Sequence, residues 1–351
     1  MGLDRYLTKG SLSKSTAVKG QDVSAALGRV RRVVAQFAAL DWLVIAYIAI
    51  LFAAVWIAPD STERTMNTRR LAGLGSAFIV CLVAVRSGLV GNGVVAALLY
   101  RLCLFSTVFL SYFMLQGLLP VVNHRVFDAE LYALDMFLFR FEPTIVMDRF
   151  VASSTTEWFA FFYYSYFFLL SAYVLPMLFF ARRTHLLSDF CLAFAGIYCI
   201  GHVLYMLVPG YGPFKHLADE FMNPLPLGFW YERVLEAVTS AGAQKDIFPS
   251  LHTGGPLTCF LFAFRHRRLS PYKYVWIPTA FFAANIIIAT MFLRWHYIID
   301  IIAGIALSIL VTVFASRLST WEGERRQKRK LQPAWIPLWT ASLSSGSKPA
   351  V

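Results

Sequence analysis

Residues 296–316 read HYIIDIIAGIALSILVTVFAS, an apolar run in which Asp300 is the only acidic residue. About 20 apolar residues in an α-helix are enough to cross a hydrocarbon core of about 30 Å, and a helix satisfies its own backbone hydrogen bonds there. Similar runs recur along the chain. We predict seven further spans, at about 38–58, 71–87, 97–120, 157–180, 187–208, 250–265 and 273–293. The predicted fold class is therefore all-α, a polytopic transmembrane helical bundle of about eight spans.

Composition agrees with a membrane location. Hydrophobic residues make up 58% of the 351 positions and charged residues 15%, against about 25% charged in an average soluble domain. The net charge of +12 raises the possibility of nucleic-acid binding. However, the basic residues gather near the termini and in short loops, as the positive-inside rule predicts for cytoplasmic segments. We therefore expect no nucleic-acid partner and an integral membrane protein whose N- and C-termini are cytoplasmic.

Five segments follow from this pattern. They are a basic cytoplasmic N-terminal segment (1–36), N-terminal spans (37–122), an interfacial outer segment (123–156), a transmembrane core (157–317) and a basic cytoplasmic tail (318–351). Apolar residues between Val23 and Phe37 recur at helical spacing. They predict either a surface helix on the inner leaflet or an extension of the first span. Residues 127–152 predict one or two short helices at the outer interface.

Two histidines lie at the predicted outer starts of late helices. The long loop 209–249 ends at Pro249-Ser250-Leu251-His252, where a helix is expected to begin at about residue 249 or 250. Free N–H groups at a helix start favour an anion such as phosphate. Taken alone, His252 could equally be an interfacial capping residue.

The second histidine, His296, is followed four residues later by Asp300. Residues four apart share a helix face, so the carboxylate could orient one imidazole nitrogen and leave the other free to attack, as in hydrolytic triads. An ionisable residue within a span needs a partner or a function. A purely structural His–Asp pair explains the spacing equally well.

The combination favours phosphoryl transfer. That chemistry needs a nucleophile, a general acid for the leaving oxygen and cations for the phosphoryl oxygens. Arg294 and Lys215 are the nearby cations, and Ser250 lies at the proposed anion site. The sequence has no carboxylate cluster typical of a metal site, so we expect neither a metal nor a cofactor.

Pro249-Ser250-Leu251-His252 and His296-Tyr297-x-x-Asp300 resemble two signature motifs of the type 2 phosphatidic acid phosphatase superfamily. Together with the Gly210–Pro213 loop, they are most similar to its inositol phosphorylceramide synthase (inositolphosphotransferase) branch. The resemblance is strong over about 205–310, weaker over 127–180 and absent from 1–120. It implies a six-helix phosphatase-like core joined to N-terminal spans.

The resemblance also implies roles for single residues. His296 would form a phosphohistidine, Asp300 would orient it, and His252 would protonate the leaving oxygen. Ser250 and Arg294 would bind phosphate. Two departures weaken the phosphate-binding part. The common arginine position, six residues before the nucleophile, is Thr290 here, and Lys215 is the only counterpart of a first motif that usually holds a Lys and an Arg-Pro pair.

The leading hypothesis is a lipid phosphotransferase or phosphatase that acts on lipid substrates within the membrane, with its active site on the non-cytoplasmic face. One form would transfer an inositol-phosphate-type headgroup to a lipid alcohol, as in sphingolipid synthesis, and the simpler form would hydrolyse phosphatidate-like lipids. A transporter or flippase would instead need ionisable residues near mid-membrane and broken helices in paired halves. A non-catalytic scaffold is the remaining alternative, and the oligomeric state stays open.

Overall fold

Helices make up all the regular structure in the part that the computed structural model describes, residues 24–241 and 244–338. The all-α prediction is therefore confirmed. Residues 1–23 and 339–351 of the two predicted basic segments lie outside the described residues. In chain order the helices are α1 (24–35), α2 (Ala39–Ile57), α3 (Thr62–Arg86), α4 (Val94–Val122), α5 (Asp128–Phe139), α6 (Pro143–Asp148), α7 (Ser153–Phe180), α8 (Thr184–Leu207), α9 (Pro213–His216), α10 (Phe229–Ala241), α11 (Leu251–Arg265), α12 (Tyr272–Phe292) and α13 (Ile298–Lys328).

Seven helices in the described part of the chain are long and apolar enough to cross a membrane: α2, α3, α4, α7, α8, α12 and α13. They confirm a polytopic helical bundle. The eighth predicted span, 250–265, corresponds to α11, which has only 15 residues and is therefore about 22 Å long. By length alone, α11 is too short to cross a hydrocarbon core of about 30 Å.

Helix α11 nevertheless joins the two ends of the bundle. At its start, the Ser250 N–H donates to the Asp300 carbonyl, which belongs to the first turn of α13, at 3.0 Å. At its end, His266 Nε2 is 3.2 Å from Asp189 Oδ2 in the first turns of α8. We call the first end the site end and the second the basic end. The basic end is named for five arginines in its loops and helix termini, Arg182, Arg183, Arg265, Arg267 and Arg268.

The two arginines that interrupt the second and third predicted spans are buried at the basic end. Arg86 closes α3, and its Nε donates to Asp41 Oδ2 at 2.8 Å. Arg101, in α4, donates to the Ile336 carbonyl at 2.9 Å, and its Cζ lies 5.5 Å from the Trp335 ring centroid. The segment that follows α13 thus covers both arginines and satisfies part of their hydrogen bonding, as buried charges require.

Helix α1 is separate from α2, because residues 36–38 interrupt the helical backbone. Leu27 and Val30, two of the apolar residues that predict its face, are 56% and 58% exposed. Of the two alternatives, the structure has the separate surface helix rather than an extension of the first span. Its place relative to a membrane stays a prediction, and Val23 lies outside the described residues.

Residues 127–152 form two short helices, α5 and α6, within the range that the sequence predicts. Helix α5 braces the start of α13, because the Asp135 carboxylate accepts hydrogen bonds from the N–H groups of Ile298 at 2.7 Å and Ile299 at 3.0 Å. These N–H groups have no partner within their own helix. Asp135 therefore fixes the position of the helix that carries Asp300.

The 209–249 segment was predicted as a loop, and this is wrong over residues 213–216 and 229–241, which form α9 and α10. Glu157 at the start of α7 holds α10, accepting from the N–H groups of Trp230 and Tyr231 at 3.0 Å each. A signal was present in the sequence, since Trp230, Val234 and Val238 recur every four residues and pack in one cluster. Such a stripe is typical of an amphipathic helix.

Candidate active site

The structure brings the two predicted histidines together at the site end. His252 is the second residue of α11, and His296 lies in the short link between α12 and α13. Their ring centroids are 6.5 Å apart, and both rings line one small cavity of about 80 Å³. Forty-four residues separate them in sequence, so the Ser250–Asp300 backbone bond between the two helix starts is what keeps them adjacent.

Asp300 contacts His296, but the predicted shared helix face is wrong, because His296 lies in the link before α13. Asp300 Oδ2 is 3.3 Å from His296 Nδ1 and accepts the Tyr297 N–H at 3.0 Å. The second contact fixes the carboxylate within the first turn of α13. With Nδ1 engaged by Asp300, Nε2 is the nitrogen left for chemistry.

His296 is only 4% exposed, and burial lowers its pKa to about 4. The nearby Asp246 carboxylate and a hydrogen bond with the Ile247 backbone act in the opposite direction, but burial dominates. The ring is therefore neutral at neutral pH. A neutral imidazole retains the lone pair that nucleophilic attack requires.

His252 is held by two tyrosine rings of α7. The Tyr163 ring is stacked on it at 4.3 Å and 14°, and the Tyr166 ring lies 4.2 Å away at 34°. Its Nε2 is buried and has no hydrogen-bond partner within residues 24–241 and 244–338. A buried polar atom without a partner is uncommon in proteins and needs an explanation. A substrate oxygen would be a suitable partner.

Asp246 is a cavity residue that the sequence did not reveal. It lines the same cavity as the two histidines, and Tyr112 Oη donates to its Oδ2 at 3.1 Å. Burial raises the pKa of Asp246, and this outweighs the lowering of the pKa by its hydrogen bonds. No sequence spacing connects Asp246 to Tyr112, which lies 134 residues away, so only the fold identifies this carboxylate.

Ser250 caps α11, and its hydroxyl does not line the cavity. Its Oγ accepts the Thr253 N–H at 3.3 Å, and the residue is 0% exposed. An N-cap role is typical of serine. Ser250 therefore positions His252, and its predicted role as a phosphate ligand stays a prediction.

Arg294 is bound to partners away from the cavity lining. Its Nη2 donates to Asp148 Oδ1 of α6 at 2.6 Å and to the Asn223 carbonyl, and its Cζ lies 3.9 Å from the Phe221 ring centroid. The side chain thus ties the α12–α13 link to α6 and to the loop before α10.

Lys215 lies near the cavity mouth. Its Nζ is 3.4 Å from the centroid of the Tyr211 ring, which lines the cavity, and Lys245 Nζ is 5.5 Å from the same centroid. Cation–π contacts of this kind hold a cation at an aromatic face. Lys215 is exposed, and Lys245 is a second cation at this position that the sequence did not point to.

Asp128 of α5 holds the loop that contains Tyr211. Its carboxylate accepts from the N–H groups of Tyr211 at 2.8 Å and Gly212 at 2.7 Å and from Tyr297 Oη at 3.3 Å. Gly212 has φ of +93°, a conformation that glycine adopts at little cost. The loop, α5 and the start of α13 therefore form one hydrogen-bonded unit around the site.

The described part of the chain contains no group of three or more His, Cys, Asp or Glu residues placed to hold a metal ion.

A family model described as PAP2 superfamily matches residues 129–314, which include α5 without its first residue, α6 to α12, the first half of α13 and every predicted site residue. The chain belongs to the PAP2 superfamily. Superfamily members are phosphoesterases and phosphotransferases, and this is the class of activity that the match assigns to the chain. Together with the seven apolar helices, membership makes it an integral membrane protein. No curated protein and no solved structure matches the chain.

Proposed function

We propose that this PAP2 protein transfers a phosphate-bearing headgroup from a phospholipid to a lipid alcohol through a phosphohistidine on His296. The observation that carries the proposal is the pair of histidine rings, 6.5 Å apart on one cavity, with Asp300 on the Nδ1 side of His296. This arrangement provides a nucleophile, its orienting acid and a second imidazole for proton transfer.

In the first step, His296 Nε2 attacks the phosphorus atom, and the bond from phosphorus to the leaving oxygen breaks. Burial lowers the pKa of His252 to about 3, and the negative charge of a bound phosphate raises this pKa again. His252 therefore takes up a proton as the substrate binds, gives it to the leaving oxygen from Nε2 and returns to the neutral form. In the second step, the acceptor hydroxyl attacks phosphorus, its proton passes to His252, and the N–P bond breaks. Both residues return to their starting states, so the sequence of steps balances.

The reaction also needs cations that stabilise the phosphoryl oxygens. Lys215 has the strongest geometric support, because it contacts a ring that lines the cavity, and Lys245 contacts the same ring. Arg294 has an acidic partner already. We therefore assign the main electrostatic contribution to the two lysines and to the free N–H groups at the start of α11.

Asp246 favours a hydroxylated substrate. A carboxylate repels a phosphate group, but it accepts hydrogen bonds from hydroxyl groups, and Tyr112 and Gln244 lie beside it on the cavity. These groups suit the hydroxyls of an inositol-type headgroup or of an acceptor such as ceramide. Recognition of an acceptor hydroxyl supports transfer over simple hydrolysis, whereas recognition of a headgroup hydroxyl fits both reactions.

The decisive test uses the purified full chain with a phospholipid whose headgroup phosphate is labelled, with and without diacylglycerol or ceramide. Transfer produces a new labelled lipid only when the acceptor is present. Release of labelled phosphate or headgroup without acceptor would establish hydrolysis instead. Movement of label across vesicles without chemical change would support a flippase.

The variant His296→Ala is expected to lose both turnover and covalent labelling. His185→Ala is the matched control, because His185 is exposed at the basic end. Equal turnover in the two variants would exclude the phosphohistidine mechanism.

We further propose that the site end faces away from the cytoplasm. The basic end holds the arginine-rich loops, which the positive-inside rule places in the cytoplasm. A cysteine introduced at Lys215 should react with a membrane-impermeant maleimide added outside intact cells, whereas one introduced at Lys328 should not. The reverse pattern would invert the orientation.

A further inference from the structure

A second, larger cavity extends from the basic end along α7 towards the histidines. It has a volume of about 650 Å³ and lies between α7 and α12, within the usual size range of small-molecule sites. Apolar side chains make up most of its walls, including Phe168, Ala172 and Met177 from α7 and Val275 and Phe282 from α12. Its position between two spans opens it to the lipid phase rather than to water.

The polar groups of this cleft are unevenly placed. Inside it, Tyr173 Oη and Thr279 Oγ1 are 2.6 Å apart, so they satisfy each other. At the basic end, the lining includes the exposed residues Arg182 and Arg183. Neither arginine forms an ion pair with any residue in the described ranges 24–241 and 244–338. The cleft therefore combines an apolar body with a cationic mouth.

The dimensions fit one lipid chain. Along α7 the lining runs from Ser165 to Ala181, which corresponds to about 24 Å of helix. Half of a hydrocarbon core is about 15 Å thick, so an acyl chain from the leaflet at the basic end can lie along the cleft. Its headgroup phosphate would then be level with the two arginines.

We infer that this cleft binds an anionic phospholipid, with one acyl chain between α7 and α12 and the headgroup phosphate on Arg182 and Arg183. Lysine and arginine clusters at a membrane surface attract anionic headgroups, whereas a zwitterionic lipid such as phosphatidylcholine carries an ammonium group beside its phosphate and has no net negative charge. The site is separate from the cavity of the two histidines and does not depend on the proposed reaction.

The inner end of the cleft approaches the catalytic machinery indirectly. Phe282 lines the cleft and packs in a cluster with Tyr166, whose ring lies against His252. A lipid chain in the cleft therefore packs beside the cluster that supports one wall of the active site.

Binding is tested on the purified full chain in detergent by native mass spectrometry and by thermal melting with added phosphatidylglycerol or phosphatidylcholine. We expect phosphatidylglycerol to remain bound and to raise Tm, and phosphatidylcholine to do so at least about tenfold more weakly, a difference of about 1.4 kcal/mol. Equal binding of the two lipids would overturn the proposal. Equal binding of glycerol phosphate, which has no acyl chain, would also overturn it.

Two pairs of variants locate the site. The first double variant, Arg182→Gln with Arg183→Gln, should weaken phosphatidylglycerol binding at least about tenfold. Its control is the double variant Arg267→Gln with Arg268→Gln, which removes two exposed arginines at the same end but outside the cleft. Ala172→Trp should fill the cleft and exclude the chain.

The control for Ala172→Trp is Leu175→Trp, on the same helix but outside the lining. Ala172 and Leu175 are both exposed, so neither change is expected to prevent folding. A result in which Ala172→Trp and Leu175→Trp bind phosphatidylglycerol equally would place the lipid elsewhere.

Discussion

Arg294 lies two residues before His296, yet its guanidinium is paired with Asp148 of α6 and is only 11% exposed. It has a positive φ of 67°, and its carbonyl accepts the Phe214 N–H at 2.7 Å. Both its side chain and its backbone therefore join the α12–α13 link to neighbouring loops. We interpret Arg294 as a residue that positions His296.

We predict that Arg294→Gln destabilises the protein by about 3 kcal/mol, because it leaves the buried Asp148 carboxylate without its cation. Thermal melting would show a lower Tm. Asp148→Asn should lower the stability of the Arg294→Gln variant by less than it lowers the stability of the unsubstituted protein. Arg149→Gln, which changes an exposed neighbour, is the control. Unchanged melting with reduced turnover would indicate phosphate binding instead.

Glu142, the N-cap of α6, gives stability a dependence on pH. It is 3% exposed, and burial raises its pKa from 4.5 to about 7. The folded state therefore holds the proton more tightly than the unfolded state. The contribution of Glu142 to the free energy of unfolding is fully present below about pH 4.5 and is lost as pH rises through about 7.

We predict that the free energy of unfolding falls by about 1 to 3 kcal/mol between about pH 5 and about pH 8 on account of Glu142. Glu142→Gln should remove this part of the fall. Glu130→Gln, at an exposed position of α5, should not. Melting curves at both pH values measure the difference, and identical slopes for the two variants would contradict the assignment.

Single residues could be predicted from the sequence only where local spacing determined their geometry. His296 and Asp300 are four apart on one short segment, so they could be expected to lie close together, although His296 lies in the link before α13 and not on its helix face. Asp246 and Lys245 have roles that depend on Tyr112 and Tyr211, which come from distant parts of the chain. The predicted roles of Arg294 and Lys215 depended on a resemblance to a family, whereas their observed partners, Asp148 and Tyr211, depend on the fold.

At the scale of helices, the site depends on how closely α11 approaches α13. Gly304 makes this approach possible, since a Cβ on Gly304 would lie 2.5 Å from the Ser250 carbonyl oxygen and 3.3 Å from Thr253 Cβ. The same contact region contains the bond from the Ser250 N–H to Asp300. A side chain at residue 304 therefore moves the two histidines apart.

We predict that Gly304→Ala lowers turnover at least about tenfold, because a displacement of about 1 Å in a catalytic group can cost about a hundredfold. The helix content measured by circular dichroism should be retained. Gly323→Ala is the matched control, as it lies on the same helix with no atom within 4 Å of the added Cβ. Equal turnover in the two variants would show that the spacing of α11 and α13 does not control the reaction.

The long apolar helices were predictable from the sequence, because an apolar run in lipid has few possible structures other than a helix. Two elements show the limit of this argument. Helix α10 has 13 residues and an apolar stripe rather than a continuous apolar run. Hydropathy alone therefore predicts a loop at this position. Helix α11 has an apolar sequence, but it begins after the Ser250 cap and ends at Arg265, so its 15 residues are fewer than those of any of the seven long apolar helices.

At the scale of the whole molecule, the N-terminal spans and the site-bearing helices are joined by polar contacts inside the bundle. Tyr47 of α2 lies between Ser111 of α4 at 2.7 Å and His202 of α8 at 2.8 Å. At the basic end, Glu322 of α13 accepts the Ala39 N–H at 3.0 Å. The family match begins only at residue 129, so these contacts attach spans that precede the matched region.

We predict that Trp335→Ala destabilises the protein by about 3 to 5 kcal/mol, the usual cost of removing a buried large side chain. Trp335 is 2% exposed, and its ring packs 5.1 Å from that of Tyr100. Trp321→Ala, at a position that is 55% exposed, is the control. Melting curves in detergent measure both, and equal Tm values would show that this contact contributes little.

The segment after α13, which covers the two buried arginines, also determines the order in which parts of the protein can reach their final packing. Arg86 donates to the Ala334 carbonyl at 3.1 Å and Arg101 to the Ile336 carbonyl, and a ribosome makes these carbonyls after every helix of the bundle. During synthesis, α3 and α4 therefore enter the membrane with two cations that lack these partners. The early spans reach their final packing only when the segment after α13 folds back onto them.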